Sequence, residues 1–562
     1  MNEYIVTCGS KEDLEDLYND METPGGSLYI PDREVELVHR RSISRNTHYM
    51  LTEEEAEQVR NDSRVIACER PAKDRGITPT PFWSQTDDFN KTTGTFAGDD
   101  RNWGLYRVIE GDSVANWGSD DTSEITSKTI VTTASGKNVD VVIVDSHINP
   151  DHPEFAVNPD GTGGSRVNQF NWFQYSSALG YSTDATYTYS TSGASPNNNH
   201  GSHVAGTVAG NTQGWARDAN IYNMAFADAL ASTNVDNDNV SNWDEKLWDY
   251  LRHFHKNKAI NSTTGRRNPT ITNHSWGYSY NDIQLSSITS VTYRGTTTNV
   301  TGTDAEKKVT LEDNGVPVPG NTYLYKTPAR VAAVDADIQD AIADGIIIIS
   351  SAGNSYWNCD TSSGNDYDNA INASGNVYHS RGSSPASADN VICVGSIGSK
   401  VNEYKSNFSN WGERVDIWAP GSDIISAVYD SSSATTESSG GYTPIIADPR
   451  NSSYHLASIN GTSMSSPQVC GVIACLAESE QNLTQAQALQ YVKENSLSEV
   501  GTTGSINHST YEAFGNSHNR YLFYAQKRKQ TGSLQPTTFG NRNPDDAGVK
   551  YPRTNKMVTN RQ

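Results

Sequence analysis

The stretch Asn460-Gly461-Thr462-Ser463-Met464-Ser465-Ser466-Pro467 leads into an apolar run that extends to Leu476. This pattern predicts a turn at Gly461 and Thr462 followed by a buried helix, with Pro467 tolerated in the first helical turn. Ser463 would then lie at the amino end of the helix, where free N–H groups and the helix dipole favour negative charge. A serine nucleophile needs such a setting, because its attack on a carbonyl creates an oxyanion. A serine before a helix can also be a simple N-cap, so the stretch alone leaves both interpretations open.

Length and charge limit the class of protein. The 562 residues allow several domains and at least one large core. The 66 acidic residues exceed the 43 basic ones and give a net charge of −23. We therefore expect no nucleic-acid partner, because phosphate binding needs a basic face. We also expect no membrane span, because no apolar run reaches the roughly 18 residues that a spanning helix requires.

Cysteine usage and the first residues bear on the cellular setting. The six cysteines are sparse and show neither metal-binding spacing nor a disulfide framework. Cys470 and Cys475 fall in the predicted core helix, where we expect them to be small buried hydrophobes. Residues 1–8 lack the basic and apolar segments of a signal peptide. The resulting expectation is an intracellular or a virion- or assembly-associated location.

Residues 1–70 predict a small α+β domain. Strand-like and amphipathic segments alternate in the order βαββαβ, and Thr52-Glu53-Glu54-Glu55 has the pattern of a capping box. This order is typical of a split-βαβ, ferredoxin-like sheet, in which the first and last strands lie close together. Cys8 and Cys68 could therefore be neighbours or independent free thiols. Residues 71–100 are rich in proline, glycine and polar residues, which predicts an exposed linker open to cleavage.

From residue 101 the pattern changes to alternating strands and helices. Apolar strand segments such as 139–144 and 346–350 predict a mostly parallel sheet covered by helices on both faces, an α/β fold. Two stretches interrupt it, residues 165–199 and residues 278–326. We predict the second as a β-hairpin insertion, from the alternation in Ser290–Tyr293 and in Val309–Leu311. Residues 527–562 form a locally basic tail, which by default is solvated or docks on a partner.

Three further polar residues lie where strands or helices are predicted to begin or end, at the edge where open α/β sheets bind ligands. Asp145 follows an apolar strand and could orient a histidine, although an aspartate in such a turn is often structural. His200 precedes a helix, and His203 follows one turn later, so a metal-binding pair is a competing interpretation. Asn354 ends Ser351-Ala352-Gly353-Asn354, where its amide could donate to an oxyanion or merely terminate a strand.

Together, these residues occur in the chain order Asp, His, Asn, Ser, each among several characteristic neighbours. With these motifs the chain resembles the subtilases, the subtilisin-like serine peptidases, over most of residues 101–497. The neighbouring segments Asn102–Leu105, Phe408–Asn410 and Ala419–Gly421 are also similar to that family. The motifs that carry the resemblance are Asp145-Ser146, His200-Gly201-Ser202-His203-Val204-Ala205-Gly206, Ser351-Ala352-Gly353-Asn354 and Gly461-Thr462-Ser463-Met464-Ser465-Ser466-Pro467.

The resemblance implies a serine endopeptidase that hydrolyses protein or peptide substrates. Ser463 would be the nucleophile, His200 the general base, Asp145 its orienting partner, and Asn354 an oxyanion donor. Substrate would lie extended beside one segment at the end of a strand, and its P1 side chain would lie near a second segment at the end of another strand. The residues expected to bind it are Ser275, Trp276 and Gly277 on the first segment, and Ser351, Ala352 and Gly353 on the second.

The resemblance also suggests a domain organisation. Residues 1–77 are similar to the inhibitory propeptide of the family, which acts as an intramolecular partner and is removed by self-processing, here near Arg75–Thr78. We expect a linker at 78–100, the peptidase domain at 101–526, and the basic tail at 527–562. No cofactor is expected for the chemistry. Structural calcium is expected from the family, and Asp236-Asn237-Asp238-Asn239 is a possible oxygen-rich loop that lacks the full spacing of a calcium site.

Some features depart from the family pattern. His147 takes a position where the family usually has glycine, so a bulky titratable side chain adjoins Asp145. The two insertions flank the region expected to receive substrate. An alternative function is therefore a structural or assembly protein that keeps the peptidase fold and retains its propeptide. The intact set of four candidate residues argues against that alternative, because a scaffold does not need them.

Overall fold

The computed structural model describes residues 1–30, 36–40, 46–70, 74, 83–90, 96–110, 124–180, 187, 189, 197–225, 243–280, 282–320, 322–399, 404–428, 445–498 and 515–524. The chain divides into two compact units, Met1–Pro81 and Phe82–Gln562. Among the described helices, not one is long and apolar enough to cross a membrane.

The first unit is a four-stranded antiparallel sheet with two helices. Its strands lie in the order β2-β3-β1-β4, and the predicted βαββαβ order is confirmed. The Thr52 hydroxyl accepts from the Glu55 N–H while the Glu55 carboxylate accepts from the Thr52 N–H, so the predicted capping box is also confirmed. The elements are β1 (Asn2–Cys8), α1 (Lys11–Glu22), β2 (Glu36–Arg40), β3 (Asn46–Leu51), α2 (Glu53–Arg60) and β4 (Val65–Glu69).

The two cysteines of this unit lie on neighbouring strands. Alternate residues of β1, including Tyr4, Val6 and Cys8, enter the core against the helices, and Cys68 of β4 enters the same core. Both are free thiols, and burial raises the pKa of each to about 11. They are therefore neutral core side chains at physiological pH.

The second unit is built on a seven-stranded sheet in the order β20-β19-β16-β11-β8-β10-β9, in which every pair is parallel. This confirms the predicted α/β class. The strands of this sheet are β8 (Asp140–Asp145), β9 (Val167–Asn168), β10 (Asn220–Ala225), β11 (Thr270–His274), β16 (Ile347–Ser351), β19 (Ile392–Ile397) and β20 (Ile417–Pro420). The helices of the unit are α3 (Trp103–Glu110), α4 (Ser176–Leu179), α5 (Asn197–Ala209), α6 (Trp243–Asn257), α7 (Asp304–Asp313), α8 (Ala332–Ala343), α9 (Thr462–Ser479) and α10 (Gln485–Glu494).

Helices cover both faces of this sheet, as its continuous apolar strands require. In β8, Val141 and Ile143 pack with α5 and α9, whereas Val142 and Val144 pack with α6 and α8 on the opposite face. The central strands are therefore buried on both faces. In such a sheet a site is expected at the edge formed by the carboxyl ends of the strands.

A smaller three-stranded sheet precedes the main one and overturns part of the predicted linker. Strand β5 (Trp83–Asn90) pairs antiparallel with β7 (Glu124–Thr132) and parallel with β6 (Arg101–Asn102). Phe89 is fully buried, and its ring centroid lies 5.5 Å from that of Tyr106. Residues 83–90 thus belong to the second unit. Their polar composition suggested a linker. The strand is instead held by its pairing with β7 and by the buried Phe89.

The insertion at 278–326 contains a β-hairpin as predicted, but only one of the two alternating segments belongs to it. Its alternating segment 290–293 lies in β13 (Ile288–Tyr293), which pairs with β14 (Thr296–Asn299) and also with β17 (Ala370–Ala373). The second alternating segment, Val309–Leu311, lies in α7 instead of a strand. The Thr303 and Glu306 side chains form a capping box that starts this helix. The remaining short strands of this region are β12 (Ile283–Gln284), β15 (Tyr323–Leu324) and β18 (Asn376–His379).

A three-stranded antiparallel sheet leads into α9. It has the order β21-β23-β22, formed by β21 (Ile424–Val428), β22 (Ile445–Asp448) and β23 (Asn451–Ile459). Residues 515–524 run beside β20, where the Trp418 N–H donates to Arg520 and its carbonyl accepts from Leu522. The buried side chains of Tyr521 and Leu522 join the main core. This segment covers the edge of the seven-stranded sheet.

Candidate active site

The four candidate residues come from elements that converge at the carboxyl edge of the parallel sheet. Asp145 is the last residue of β8, and Asn354 lies three positions after β16. His200 lies in the first turn of α5 and not in a loop before it, because the helix begins at Asn197. Ser463 is the second residue of α9. Parallel strands bring these ends to one side of the sheet, as the sequence predicted.

Asp145 and His200 form a hydrogen-bonded pair. The His200 Nδ1–H donates to Asp145 Oδ1 over 2.8 Å, and the same oxygen accepts from the Ser146 N–H over 2.7 Å. The Asp145 side chain is 5% exposed, whereas that of His200 is 31% exposed. The buried carboxylate thus holds one imidazole nitrogen while the ring remains accessible. This arrangement fixes the tautomer with an unprotonated Nε2, which is the form that can accept a proton.

His203 has a structural role, which removes the metal-pair interpretation for this helix. Its Nε2–H donates to the carbonyls of Ile424 and Ala457 over 2.9 and 3.1 Å. Burial lowers the pKa of His203 to about 3, so the ring is neutral. Among the described residues, no group of three or more His, Cys, Asp or Glu side chains could hold a metal ion. The possible calcium loop Asp236–Asn239 lies outside the described residues.

Ser463 lies at the amino end of α9, which begins at Thr462 after the N-cap Gly461. Its N–H is among the first four of the helix and has no carbonyl partner within it. Ser463 is 7% exposed, and its hydroxyl donates to the Ser275 carbonyl over 3.1 Å. Pro467 is the sixth residue of the helix, so the prediction that it lies in the first turn was wrong by one turn. The helix tolerates it because another group satisfies the Ser463 carbonyl.

That group is the Ser275 hydroxyl, which donates to the Ser463 carbonyl over 2.9 Å. Ser275 follows β11, and its hydroxyl also accepts from the Asn273 amide over 2.9 Å. A proline at position 467 cannot supply the N–H that would normally bond the carbonyl four residues earlier. Sequence reasoning assigned Ser275 only to substrate binding and missed this contact. Pro467 within the helix pattern was the available signal.

Asn354 is held so that its amide nitrogen remains available. Its Oδ1 accepts from the Thr462 N–H over 2.9 Å and from the Thr462 hydroxyl over 2.6 Å. The Thr462 hydroxyl in turn accepts from the Gly353 N–H over 3.2 Å. Because the oxygen faces Thr462, the Nδ2 donors point away from it, and Asn354 is exposed. The orienting role of Thr462 was not predicted, although the residue adjoins Ser463 in the motif.

The segment Ser351-Ala352-Gly353 crosses from β16 toward Asn354. The Asn410 amide donates to the Ala352 carbonyl over 2.8 Å, and its oxygen accepts from the Ser355 and Trp357 N–H groups. Gly353 has φ +101°, and a Cβ there would lie 2.5 Å from Asn410 Nδ2. Glycine is therefore required at 353 by both conformation and space. Asn410 was quoted in a predicted motif without a role, and the structure assigns it this support.

The other predicted substrate residues follow Ser275. The Trp276 ring is half-buried, between those of His274 and Tyr278, each with its centroid 5.7 Å away. Gly277 lies against Ser383, whose Oγ would be 2.8 Å from an added Cβ. The structure thus brings this segment to Ser463 through Ser275, and brings 351–353 to it through Thr462.

His147 is buried beside the site. It is 1% exposed, and its ring packs edge-on against Tyr189 at a centroid distance of 5.9 Å. The Tyr189 hydroxyl donates to the carbonyls of Phe170 and Asn223. Residues of the first insertion therefore cover His147.

A buried ion network supports the loop after Asp145. Glu154 accepts from the N–H groups of Thr212 and Gln213, and Arg450 binds both Glu154 and the buried Asp448. Burial alone would raise the pKa of Glu154, but the Arg450 charge and the hydrogen bonds prevail and lower it to about 2. The carboxylate stays charged and ties this loop to the turn between β22 and β23.

Comparisons with known proteins show what the chain is similar to. A sequence model of the subtilase family matches residues 136–549. Alkaline serine exoprotease A of Vibrio alginolyticus is 24% identical over 469 residues, which cover 82% of this chain and 57% of that protein. Alkaline protease 1 of Emericella nidulans is 25% identical over 401 residues, 70% of this chain and 66% of that protein. A crystal structure of a cold adapted subtilisin-like serine proteinase aligns with a TM-score of 0.43 at 20% identity, over 76% of this chain and 98% of that one.

The chain belongs to the subtilase family, because the family model covers most of it. The resemblance stated from the motifs is thereby confirmed. The chain spans 57% and 66% of the lengths of the two relatives, less than two thirds of either.

Proposed function

We propose that the protein is a serine endopeptidase that uses Ser463, His200, Asp145 and Asn354. The observation that carries this proposal is the bond between His200 Nδ1 and the buried Asp145, at the same sheet edge as a serine that begins a helix. A buried carboxylate, an accessible imidazole and a helix amino end are the groups that acyl transfer requires.

In the proposed mechanism, His200 Nε2 accepts the proton of the Ser463 hydroxyl as the oxygen attacks the peptide carbonyl. The hydroxyl must first leave the Ser275 carbonyl, to which it donates in the structure. Asp145 keeps the ring oriented and stabilises the imidazolium that forms. His200 then gives the proton to the departing amine, and water repeats the sequence on the acyl-enzyme.

The tetrahedral oxyanion would be stabilised by the Asn354 amide and the Ser463 N–H. The contacts of Thr462 with Asn354 support this role, because they direct the amide oxygen away and leave the nitrogen as the donor. A pre-oriented donor costs no reorganisation during the reaction, and loss of one such donor typically lowers kcat by about 10²–10³-fold.

Substrate would lie extended beside Ser275, Trp276 and Gly277, with its P1 side chain near Ser351, Ala352 and Gly353. Both segments continue from parallel strands and carry backbone groups suited to strand addition. Their hydrogen bonds to the α9 turn, through Ser275 and Gly353, support this assignment.

Self-processing is part of the same proposal. Residues 1–77 would act as an inhibitory propeptide, and cleavage would fall in the last residues of the first compact unit, which ends in the sequence at Pro81. The expected scissile region Arg75–Thr78 lies outside the described residues. Strand β5 starts at Trp83, so a cut before it leaves the second unit complete.

The experiment compares wild type with Ser463→Ala. We expect a fluorophosphonate probe to label wild type at Ser463, and intact mass to show loss of a fragment near residues 1–77 in wild type only. Labelling without shortening would reject self-processing and retain the peptidase. No labelling and no peptide hydrolysis would reject the peptidase in favour of the structural or assembly role.

A structural calcium ion remains a separate proposal without assigned ligands. If it is present, a chelator should lower the Tm of the Ser463→Ala protein, and calcium but not magnesium should restore it. An unchanged Tm would reject the proposal of a structural calcium ion.

A further inference from the structure

A fully buried asparagine bridges the loop that follows β8. Asn223 lies in β10 two residues after the core residue Ile221, so its side chain points to the face of the sheet that α5 covers. Its Nδ2 donates to the Ser146 carbonyl over 3.0 Å, and its Oδ1 accepts from the Ile148 N–H over 3.1 Å. One side-chain amide therefore holds the backbone on both sides of His147.

Ser146 connects this amide to the hydrogen-bonded pair of the site. Its N–H donates to Asp145 Oδ1 over 2.7 Å, and the same oxygen accepts from His200 Nδ1 over 2.8 Å. Its hydroxyl accepts from the Gly201 N–H over 2.8 Å, next to His200 in α5. Among the described residues, Asp145 Oδ2 has no hydrogen-bond partner, so the two bonds of Oδ1 orient the carboxylate. The position of Ser146 thus affects both the carboxylate and the helix that carries the imidazole.

The loop and the first turns of α5 pack too closely to move independently. An added Cβ at Gly201 would lie 2.5 Å from the Ser146 carbonyl oxygen, the atom that Asn223 also contacts. Further along, the Ser202 hydroxyl accepts from the Asn149 N–H over 3.1 Å. A shift of the loop would therefore displace the helix turn that carries the imidazole.

Residues of the first insertion fix Asn223 itself. Its backbone carbonyl accepts from the Trp172 Nε1–H over 2.9 Å and from the Tyr189 hydroxyl over 2.7 Å. Trp172 is fully buried, and the Tyr189 ring also packs against His147. The described part of the insertion thus holds the backbone of the residue whose side chain holds the loop.

We propose that Asn223 is a positioning residue for the Asp145–His200 pair. By holding Ser146, it keeps the carboxylate and the imidazole aligned for proton transfer from the nucleophile. The inference rests on the proposed endopeptidase function and adds to it a residue that touches neither the substrate nor the reacting atoms. Small displacements of a catalytic group are costly, because the reaction needs a narrow range of geometry.

A purely structural role for this amide predicts a different result. An amide that only satisfies the polar groups of a buried loop lowers the stability of the fold when it is removed, and leaves the folded site as it was. A positioning amide also lowers kcat with little change in KM, because substrate binding does not depend on the alignment of the pair. The test must therefore compare two buried amides of which only one contacts the loop.

The matched variants are Asn223→Ala and Asn268→Ala. Asn268 is also buried, and its amide donates to Asp140 Oδ1 over 2.8 Å and accepts from the Asn261 amide over 2.9 Å. Asp140 is the first residue of β8 and Asp145 the last, so this control lies roughly 16 Å away, at the opposite edge of the sheet. The same substitution there removes a buried amide without contact to the loop.

Peptide hydrolysis gives the first readout, with kcat expressed per Ser463 that a fluorophosphonate probe labels. We expect Asn223→Ala to lower kcat by about 10- to 100-fold with little change in KM. Asn268→Ala should lower Tm but keep the kcat of wild type. Asn223→Ser, whose hydroxyl can bond one end of the loop but not both, should show a smaller loss of kcat and replaces Asn223→Ala if that variant does not fold.

The second readout needs no activity. In the Ser463→Ala protein, the His200 Nδ1 proton lies in a charge-assisted bond to a buried carboxylate and should give a downfield proton resonance, assigned by its absence in His200→Gln. The Asn223 substitutions should shift this resonance upfield or abolish it. Asn268→Ala should leave the resonance where it is in Ser463→Ala alone.

The outcomes separate this inference from the function on which it rests. The proposal requires both the loss of kcat and the change in the resonance, so either one alone overturns it and keeps the endopeptidase. Equal changes in the Asn223 and Asn268 variants, or a raised KM with unchanged kcat, overturn it in the same way. Absence of any Ser463-dependent cleavage in wild type overturns the endopeptidase and this inference with it.

Discussion

Ser275 and Ser463 exchange two hydrogen bonds across 188 residues of sequence. The Ser275 hydroxyl donates to the Ser463 carbonyl over 2.9 Å, and the Ser463 hydroxyl donates to the Ser275 carbonyl over 3.1 Å. Pro467 is the reason that the first bond is needed, because its ring nitrogen has no hydrogen to offer that carbonyl. The exchange ties the candidate nucleophile to the segment proposed to bind substrate.

The first prediction concerns Ser275→Ala. The variant leaves the Ser463 carbonyl buried without its donor, so we expect a loss of about 1–3 kcal/mol in the free energy of unfolding. We also expect a lower kcat, because the nucleophile turn is less firmly held. Denaturant unfolding in the Ser463→Ala background, which cannot digest itself, measures the stability.

A double-mutant cycle with Pro467→Ala identifies the cause. Alanine at 467 supplies the missing N–H, so the Ser275→Ala loss should shrink by about 1 kcal/mol in that background. Additive losses would show that the Ser275 hydroxyl does not act through the Ser463 carbonyl.

The second prediction concerns Thr462→Val, which keeps the shape but removes the hydroxyl that donates to Asn354 Oδ1. If Asn354 stabilises the oxyanion, its amide loses orientation, and kcat should fall by about tenfold or more with little change in KM. Thr484→Val is the control, because Thr484 caps α10 through the same kind of hydroxyl contact away from the site. A kcat loss of the same size in both variants would show a general effect of stability.

The sequence predicted the parts of the site that lie within short motifs. Asp145, His200, Asn354 and Ser463 were each identified from their neighbours, and the parallel sheet followed from its apolar strand segments. Partners that join distant segments were missed. Thr462 with Asn354, and Arg450 with Glu154, meet only because the sheet and the β22–β23 turn bring them together.

The errors in the secondary structure have local causes. Val309 and Leu311 alternate as in a strand, but the capping box at Thr303 and Glu306 starts a helix that contains both. Strand β5 resembled a linker because most of its residues are polar, and its stability depends on pairing with β7 and on the buried Phe89. Pairing between strands far apart in sequence leaves no signal in composition.

The third prediction is that acid destabilises the second unit. Burial lowers the pKa values of His203 and His274 to about 3 and of His255 to about 4. In the unfolded chain these rings protonate near pH 6.5, so below that pH the unfolded state binds more protons and stability falls as pH decreases. Each ring should contribute about 1.4 kcal/mol per pH unit until its folded pKa is reached.

Unfolding of the Ser463→Ala protein between pH 7 and pH 5 measures this slope. His255→Gln is the informative variant, because His255 is the least buried of the three, and its Nδ1 lies 2.8 Å from the Thr270 hydroxyl. The variant should reduce the number of protons taken up on unfolding by about one, and the slope of the unfolding free energy against pH should fall accordingly. If the free energy of unfolding of the parent protein did not change between pH 7 and pH 5, this would contradict the buried neutral state of these rings.

The fourth prediction concerns Arg450→Met. Glu154 and Asp448 both lie buried against this guanidinium, so its removal leaves two carboxylates without their cation, and we expect a loss of about 3–5 kcal/mol. With Arg450 in place, the pKa of Glu154 lies near 2, below the ordinary value of 4.5. The ion network therefore stabilises the fold above pH 4.5 and loses its effect as pH falls toward 2. In Arg450→Met the carboxyl pKa should rise, so mild acid should recover part of the lost stability.

Arg294→Met provides the comparison for this network. Arg294 makes a similar two-bond contact with Asp366, but its side chain is 55% exposed, so water can replace the lost partner and the effect on Tm should be smaller. Tm values of both variants across pH 3–7, in the Ser463→Ala background, test whether the buried network contributes more stability than the exposed pair. Equal Tm losses in the two variants, or an Arg450→Met loss that mild acid does not reduce, would show that burial of the Glu154 and Asp448 charges does not control the loop behind Asp145.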